Sequence, residues 1–381
     1  MGEVSHQAAQ LVEASNGMGF RLLSHLAEEE GEKNLFLSSF SIATALAMVY
    51  SGAEGETQAA LAGLLGLKGL SLQEVHQGYS ALIALLGELG PGIRLDVANS
   101  LWIREGIHLA ADFVQRIQEI YGGEVAHVDF GNAEEAADII NGWVARKTEG
   151  KIKKLVPPPL LELAVVVLIN AIYFKGIWAE PFDKGRTEEG LFTLPDGNRK
   201  RVLMMRRAGG YAYYEDEIFQ AIDLPYGDGR VSMVVLLPRP DVPLAVLRKR
   251  TTAENWQEWM GKLVRTRVDL ALPRFRVEYG SDLLPVLQKI GGPSLAGPDF
   301  LGMGGGPLVI NKVIHKSFVE VNEEGTEAAA ATAVVMSRGM ARAAQMVVDR
   351  PFLCAIRDNE TGLVLFMGFV ADPEPVDKSQ E

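Results

Sequence analysis

Cysteine is nearly absent from this 381-residue chain: Cys354 stands alone, so no disulfide can form within it. A lone thiol suits a reducing compartment without proving one, and its apolar run, Phe352 to Ile356, reads as core rather than nucleophile. Long hydrophobic runs are missing too. The longest, Leu163 to Ile169, is far short of a bilayer span, so no membrane partner is expected. The opening Met-Gly-Glu-Val-Ser-His has no basic region leading into an apolar core, which predicts no secretory leader in this stretch. Positive charge is in deficit: the net charge is −12 and the pI about 5.2, a balance that argues against nucleic acid as a partner. The short basic runs at 151–154, 199–201 and 248–250 read as solvated surface. None of the six histidines stands at metal-ligand spacing from another. No Gly-x-Ser-x-Gly elbow or phosphate-binding Walker loop occurs, and Gly302 to Gly306 lacks dinucleotide-loop spacing. The chain offers no catalytic machinery, metal site or cofactor site, and it is expected not to be an enzyme.

What is present is an ordinary globular composition, 48% apolar and 23% charged, with helices early and strands late. Helical patterns cover 7–30, 39–51, 56–65, 71–89, 110–120 and 133–148. The stretch 39–51 is apolar nearly all round and belongs in a protein interior. Strand patterns follow at 163–174, 218–224, 231–237, 268–278, 308–321, 352–357 and 363–370. Gly227-Asp228-Gly229 predicts a hairpin, and Val309, Val313, His315, Val319 and Val321 would share a face. This order predicts an α+β fold with antiparallel or mixed sheets.

Two sets of residues break the apolar pattern or fit two conformations. Ser38 and Ser41 open the interior helix, Asn170 interrupts the strand Val165 to Ile172, and His315 interrupts the apolar face of 308–321. An unpaired buried polar group costs about 1–3 kcal/mol. These four therefore either bond one another, pinning the helix beneath two strands, or serve separately as helix caps and a core histidine. The second set is the run Glu323-Glu-Gly-Thr-Glu-Ala-Ala-Ala-Ala-Thr-Ala333. As a strand it would put Thr326, Ala328, Ala330 and Thr332 on one face with no large or charged group, while Gly325 permits a sharp entry. The run suits an exposed loop and an inserted strand equally.

In this order along the chain, six pieces resemble the serpins: Asn34-Leu-Phe-Leu-Ser-Ser-Phe-Ser-Ile-Ala43, with Ser39 where the family usually has proline; Ile140-Asn-Gly-Trp-Val144 with Thr148-Glu-Gly-Lys-Ile152; Leu168 to Trp178 with Pro181-Phe182; His315-Lys316; Glu323 to Ala331; and Pro351-Phe352 with Leu365-Phe-Met-Gly368. The resemblance covers nearly the whole chain and is to the inhibitory type, with a prokaryotic source as one option. It implies one domain over 1–381, built of three β-sheets and eight or nine helices, with a reactive loop at about 323–350. Ser38, Ser41, Asn170 and His315 match the family's shutter and Trp178 its breach. Glu323, Gly325, Thr326, Ala328, Ala330 and Thr332 match its hinge.

The function so implied is suicide inhibition of a serine or cysteine protease by a monomer without a cofactor. The enzyme cleaves a bait bond in the loop, and the segment from Thr326 to about residue 339 then inserts into the main sheet with the acyl-enzyme attached. Counting seventeen residues from Glu323 ends at Gly339, whereas counting back from Pro351-Phe352 ends at Met340. Met340 would suit a chymotrypsin- or elastase-like pocket and Arg338 a trypsin-like one, and both stay open beside Gly339. Non-inhibitory carriers or chaperones of the family tend to have bulky, charged or proline residues on the inward hinge face, which this chain lacks. A hydrolase is the remote alternative. Polysaccharide activation is not expected, because 71–89 holds no Lys or Arg. Serpins work both outside and inside cells, so the compartment stays open.

Overall fold

The structure, a computed structural model, describes residues 5–326 and 343–375. Among these, nine α-helices pack with strands that form one six-stranded and one nine-stranded hydrogen-bonded set. The helix Ser39–Tyr50 is buried along its whole length, as its all-round apolar sequence predicts. Ser38 caps it, accepting the Ser41 N–H at 3.2 Å. Ser39 occupies the first helical position, where proline is also favoured. Its hydroxyl donates to the Val364 carbonyl at 2.7 Å, tying the helix to the strand Val364–Val370. Gly19 in the helix His6–Glu30 allows that approach, since a Cβ there would lie 2.3 Å from the Ser39 Cβ.

The six-stranded sheet runs Phe275–Asp282, Ile310–Val321, Val166–Ile177, Ile93–Arg104, Glu124–Val128, with the short Gly325–Thr326 added on Val166–Ile177. Val166–Ile177 is covered on both faces. Val166, Leu168, Ile172 and Phe174 face the main core beside the helix Ser39–Tyr50. Val167, Ile169 and Tyr173 join a second core with Trp102, and with Ile140 and Trp143 of the helix Ala133–Lys147. Burial on both faces explains why this strand reads as a continuous apolar run rather than an alternating one.

The nine-stranded set is two sheets joined through the long strand Arg199–Glu215. Its residues 204–213 pair with Val264–Pro273, while residues 212–215 pair with Phe219–Tyr226. Two of the three expected sheets are thus continuous in hydrogen bonding at this one strand, and the six-stranded sheet is the third. The predicted hairpin forms between Phe219–Tyr226 and Val231–Pro238.

Several expectations need correction. The alternating run 268–278 is two strands in different sheets: Val264–Pro273 belongs to the nine-stranded set and Phe275–Asp282 to the six-stranded one. The apolar phase shifts at the corner, Arg274, from Val268, Leu270 and Leu272 to Phe275, Val277 and Tyr279, as each strand buries a face in its own sheet. Val309 leaves the face shared by Val313, His315, Val319 and Val321 and is exposed. A register shift between Ile310 and Lys312 breaks the alternation there. The basic run 248–250 is not wholly solvated: Arg248 is half-buried, donates to the Gly31 carbonyl at 2.7 Å and lies over Phe369. Cys354 is fully buried, and desolvation pushes its thiol up to about 12, which fits core and not chemistry.

Candidate functional site

The strands Val166–Ile177 and Ile310–Val321 run parallel and pair directly from Ile310/Val166 to Phe318/Tyr173. That register sets His315 opposite Asn170, and the antiparallel neighbour Ile93–Arg104 sets Asn99 on the other side of Asn170. All three side chains are buried, and Asn170 is their hub. Its Oδ1 lies 2.6 Å from His315 Nδ1, and its amide nitrogen donates to Asn99 Oδ1 at 2.5 Å and to Ser41 Oγ. His315 Nε2 accepts the Ser38 backbone N–H at 3.4 Å. The proton of the neutral ring therefore sits on Nδ1 and is donated to Asn170. Burial drives the imidazole pKa down to about 3, so the ring is neutral at physiological pH.

The structure thus brings Ser38, Ser41, Asn170 and His315 together, in two different ways. The Ser41 hydroxyl enters the network. The Ser38 hydroxyl acts as a helix cap, and only its backbone N–H reaches the histidine.

Past Phe318 and Tyr173 the two strands no longer pair. Gly325–Thr326 enters here, with Gly325 opposite Ile177 and Thr326 opposite Gly176, antiparallel to Val166–Ile177. Gly325 has φ +145°, and a Cβ would fall 2.1 Å from the Gly176 carbonyl oxygen, so only glycine fits. Asn322 and Gly325 exchange backbone hydrogen bonds across a tight turn.

Trp178 holds that turn from two atoms: its indole N–H donates to the Asn322 carbonyl and its backbone N–H to the Glu324 carbonyl, both at 2.9 Å. Its ring stacks on Tyr226 with centroids 4.3 Å apart. The Tyr226 hydroxyl lies 2.7 Å from the Thr326 hydroxyl, both buried. Glu323 is buried as an ion pair with Arg274 at 2.8 Å and accepts the Thr187 hydroxyl at 2.5 Å. Burying that carboxylate is tolerable only because the guanidinium and hydroxyl replace its water.

Of the remaining predicted positions, Ala328, Ala330 and Thr332 lie outside the described residues, as do the candidate bait residues Arg338, Gly339 and Met340.

Sequence reasoning missed Asn99, Tyr226, Arg274 and Thr187. Asn99 carries the same signal that marked Asn170, a polar residue in an apolar strand, but the strand Ile93–Arg104 was not among those read from the pattern. Tyr226, Arg274 and Thr187 have no local signal, because each meets its partner across about a hundred residues or from a sheet corner.

Comparison with known proteins gives one answer. The family model described as serpin (serine protease inhibitor) matches residues 13–373. Serpin B6 of Pongo abelii is 39% identical over 95% of this chain and 99% of its own length. The human leukocyte elastase inhibitor is 37% identical over 96% of this chain and all of its own. A structure of human thyroxine-binding globulin with its ligand superposes with TM-score 0.89 at 27% identity, over 96% of this chain and 99% of that one. These relatives are animal proteins and lend no support to a prokaryotic source.

Proposed function

The chain belongs to the serpin family and is an inhibitor of serine proteases, and from that premise we propose that it traps its target by moving the segment that starts at Gly325 into the six-stranded sheet. One observation carries this reading. Gly325–Thr326 is already antiparallel to the end of Val166–Ile177, in line with the seam where that strand still pairs directly with Ile310–Val321. Insertion along the seam replaces one parallel ladder by two antiparallel ones, a more favourable pairing per residue. About fourteen residues at ~3.3 Å each carry an attached acyl-enzyme roughly 45 Å. The protease supplies the nucleophile, so the chain needs no catalytic group of its own. In this reading 1–381 acts as one domain, and the loop at about 323–350 is what the protease meets.

The positions divide by task. Glu323, Gly325, Thr326, Ala328, Ala330 and Thr332 set how quickly the loop enters. Trp178 holds the entry point, and Ser38, Ser41, Asn170 and His315 hold the seam shut until cleavage. For the bait bond we propose Met340, which suits an elastase- or chymotrypsin-like enzyme, because a relative at 37% identity is named for leukocyte elastase. Cleavage at Arg338 by a trypsin-like enzyme is the competing outcome.

Incubation with elastase, chymotrypsin and trypsin, read by denaturing gel and by mass spectrometry of the released fragment, tests this. A covalent complex near the summed mass, with a fragment beginning after Met340, is expected. Clean cleavage without complex would overturn the trapping mechanism. The loop-cleaved protein should also melt far above the intact one, since the intact fold is kinetically trapped; equal melting temperatures would count against insertion.

A further inference from the structure

The turn that leads into the hinge is closed by a side chain from its own first residue. Asn322 follows directly on the strand Ile310–Val321 and is half-buried. Its Oδ1 accepts the backbone N–H of Glu324 at 3.0 Å and that of Gly325 at 3.3 Å. Its backbone N–H donates to the Gly325 carbonyl at 2.8 Å, and its carbonyl accepts the Gly325 N–H at 3.3 Å. The Glu324 N–H has no other partner among the described residues. Trp178 grips the carbonyls of Asn322 and Glu324, so the tryptophan holds the turn by its carbonyls and the carboxamide holds it by its N–H groups.

The turn needs such help. A two-residue connection between antiparallel strands is favoured when its central residues include positive φ values that match the strand twist. Neither Glu323 nor Glu324 has a positive φ; among the described non-glycine residues only Glu149 and Leu163 do. Such a backbone splays the two strands apart. The two glutamates are also adjacent like charges, each held by its own cation, Arg274 and Lys184. An asparagine side chain bonded two residues on is a turn in its own right, and here it spans both glutamates.

Closure matters because of what Gly325 already touches. It pairs with Asn322 on one side and with Ile177 on the other. These are the first rungs of the two antiparallel ladders that an inserted strand makes with Ile310–Val321 and Val166–Ile177. We propose that Asn322 is a positioning residue for inhibition: its carboxamide keeps the corner closed, so that insertion extends two ladders already begun instead of starting them anew. This role rests on the insertion reading above. Ordering the backbone is the main entropic cost of laying down a strand. A corner fixed before cleavage therefore shortens the interval in which water can release the protease.

The test uses the full-length protein and whichever of elastase, chymotrypsin and trypsin gives a covalent complex with it. The readout is the ratio of cleaved product to complex on a denaturing gel. Asn322→Ala should raise that ratio about fivefold, the factor equivalent to one hydrogen bond of about 1 kcal/mol, with the rate of loop cleavage unchanged. Asn322→Asp keeps the acceptor and should restore the original ratio. Asn322→Ser makes the same turn more weakly and should fall between the two; it carries the test if the alanine variant does not fold. An unchanged ratio in the alanine or the serine variant, or an aspartate variant as poor as the alanine one, would overturn the role of Asn322 and leave insertion standing. No complex with the unaltered protein would overturn insertion itself, and this role with it.

Discussion

The strands Val166–Ile177 and Ile310–Val321 are neighbours at both ends of the sheet but are held together at only one. Toward Val166 and Ile310 they pair directly, with His315 bonded to Asn170 across the seam and the helix Ser39–Tyr50 bonded beneath both. Toward Ile177 they part, and a foreign segment, Gly325–Thr326, takes up the freed edge. The closed end is secured by side-chain polarity in an apolar setting. The open end is secured by backbone pairing, one indole and a buried ion pair. Polar rungs within a core are strong when complete and costly when broken. Under the proposed mechanism, the closed end keeps the sheet shut and the open end admits the strand.

Substitutions at the two ends should separate these roles. The largest effect is expected from Thr326→Arg at the open end. The site is fully buried and a cation there costs several kcal/mol to desolvate. The variant should be cleaved as a substrate, with covalent complex lost on a denaturing gel; an undiminished complex would refute the inserting role of this position.

At the closed end, Asn170→Ala strands the His315 N–H, the Ser41 hydroxyl and Asn99 together. It should lower the stability of the intact form by about 3 kcal/mol in urea melts. His315→Ala on top of it should cost much less than on the native background, because both remove the same network; additive losses would show that the residues act separately.

The same histidine gives the closed end a pH dependence. Its folded pKa, about 3, lies below its ordinary 6.5, so the unfolded chain takes up the proton first. The stabilising contribution is complete above pH 6.5 and declines as pH falls toward 3. Between pH 7 and pH 5 the intact protein should lose about 2 kcal/mol that a His315→Gln variant does not lose; identical slopes in the two proteins would remove His315 as the cause.

The smallest effect belongs to Tyr226→Phe, which keeps the stack on Trp178 and removes only the bond to Thr326. A change of about 1 kcal/mol is expected, seen as faster complex formation with little change in melting. Slower formation would mean that the hydroxyl assists entry rather than restraining it.

Much of this was legible in the chain. The interior helix and the hairpin follow from local pattern, as does the apolar strand read at 163–174, which the structure shifts to Val166–Ile177 and leaves Leu163 exposed. Polar residues in apolar stretches marked Asn170, His315 and Ser41, and small residues after a glycine marked Gly325 and Thr326. The strands Ile93–Arg104 and Arg199–Glu215 were not legible, because their faces alternate irregularly between core, edge and solvent. Asn99 was lost with the first of them. The division of 268–278 at Arg274 also escaped, since its signal is only a one-residue change of apolar phase, from Leu270 and Leu272 to Phe275 and Val277.

Local chemistry by itself determined which residues cannot stand exposed, which cannot stand buried alone, and where composition suits either loop or strand. The tertiary structure alone decided which lonely polar groups complete one another. Asn170 is 71 residues from Asn99, 129 from Ser41 and 145 from His315. Hydrogen bonds act over a few ångströms, so no local pattern can name such partners until the sheet fixes register and the helix is laid beneath it.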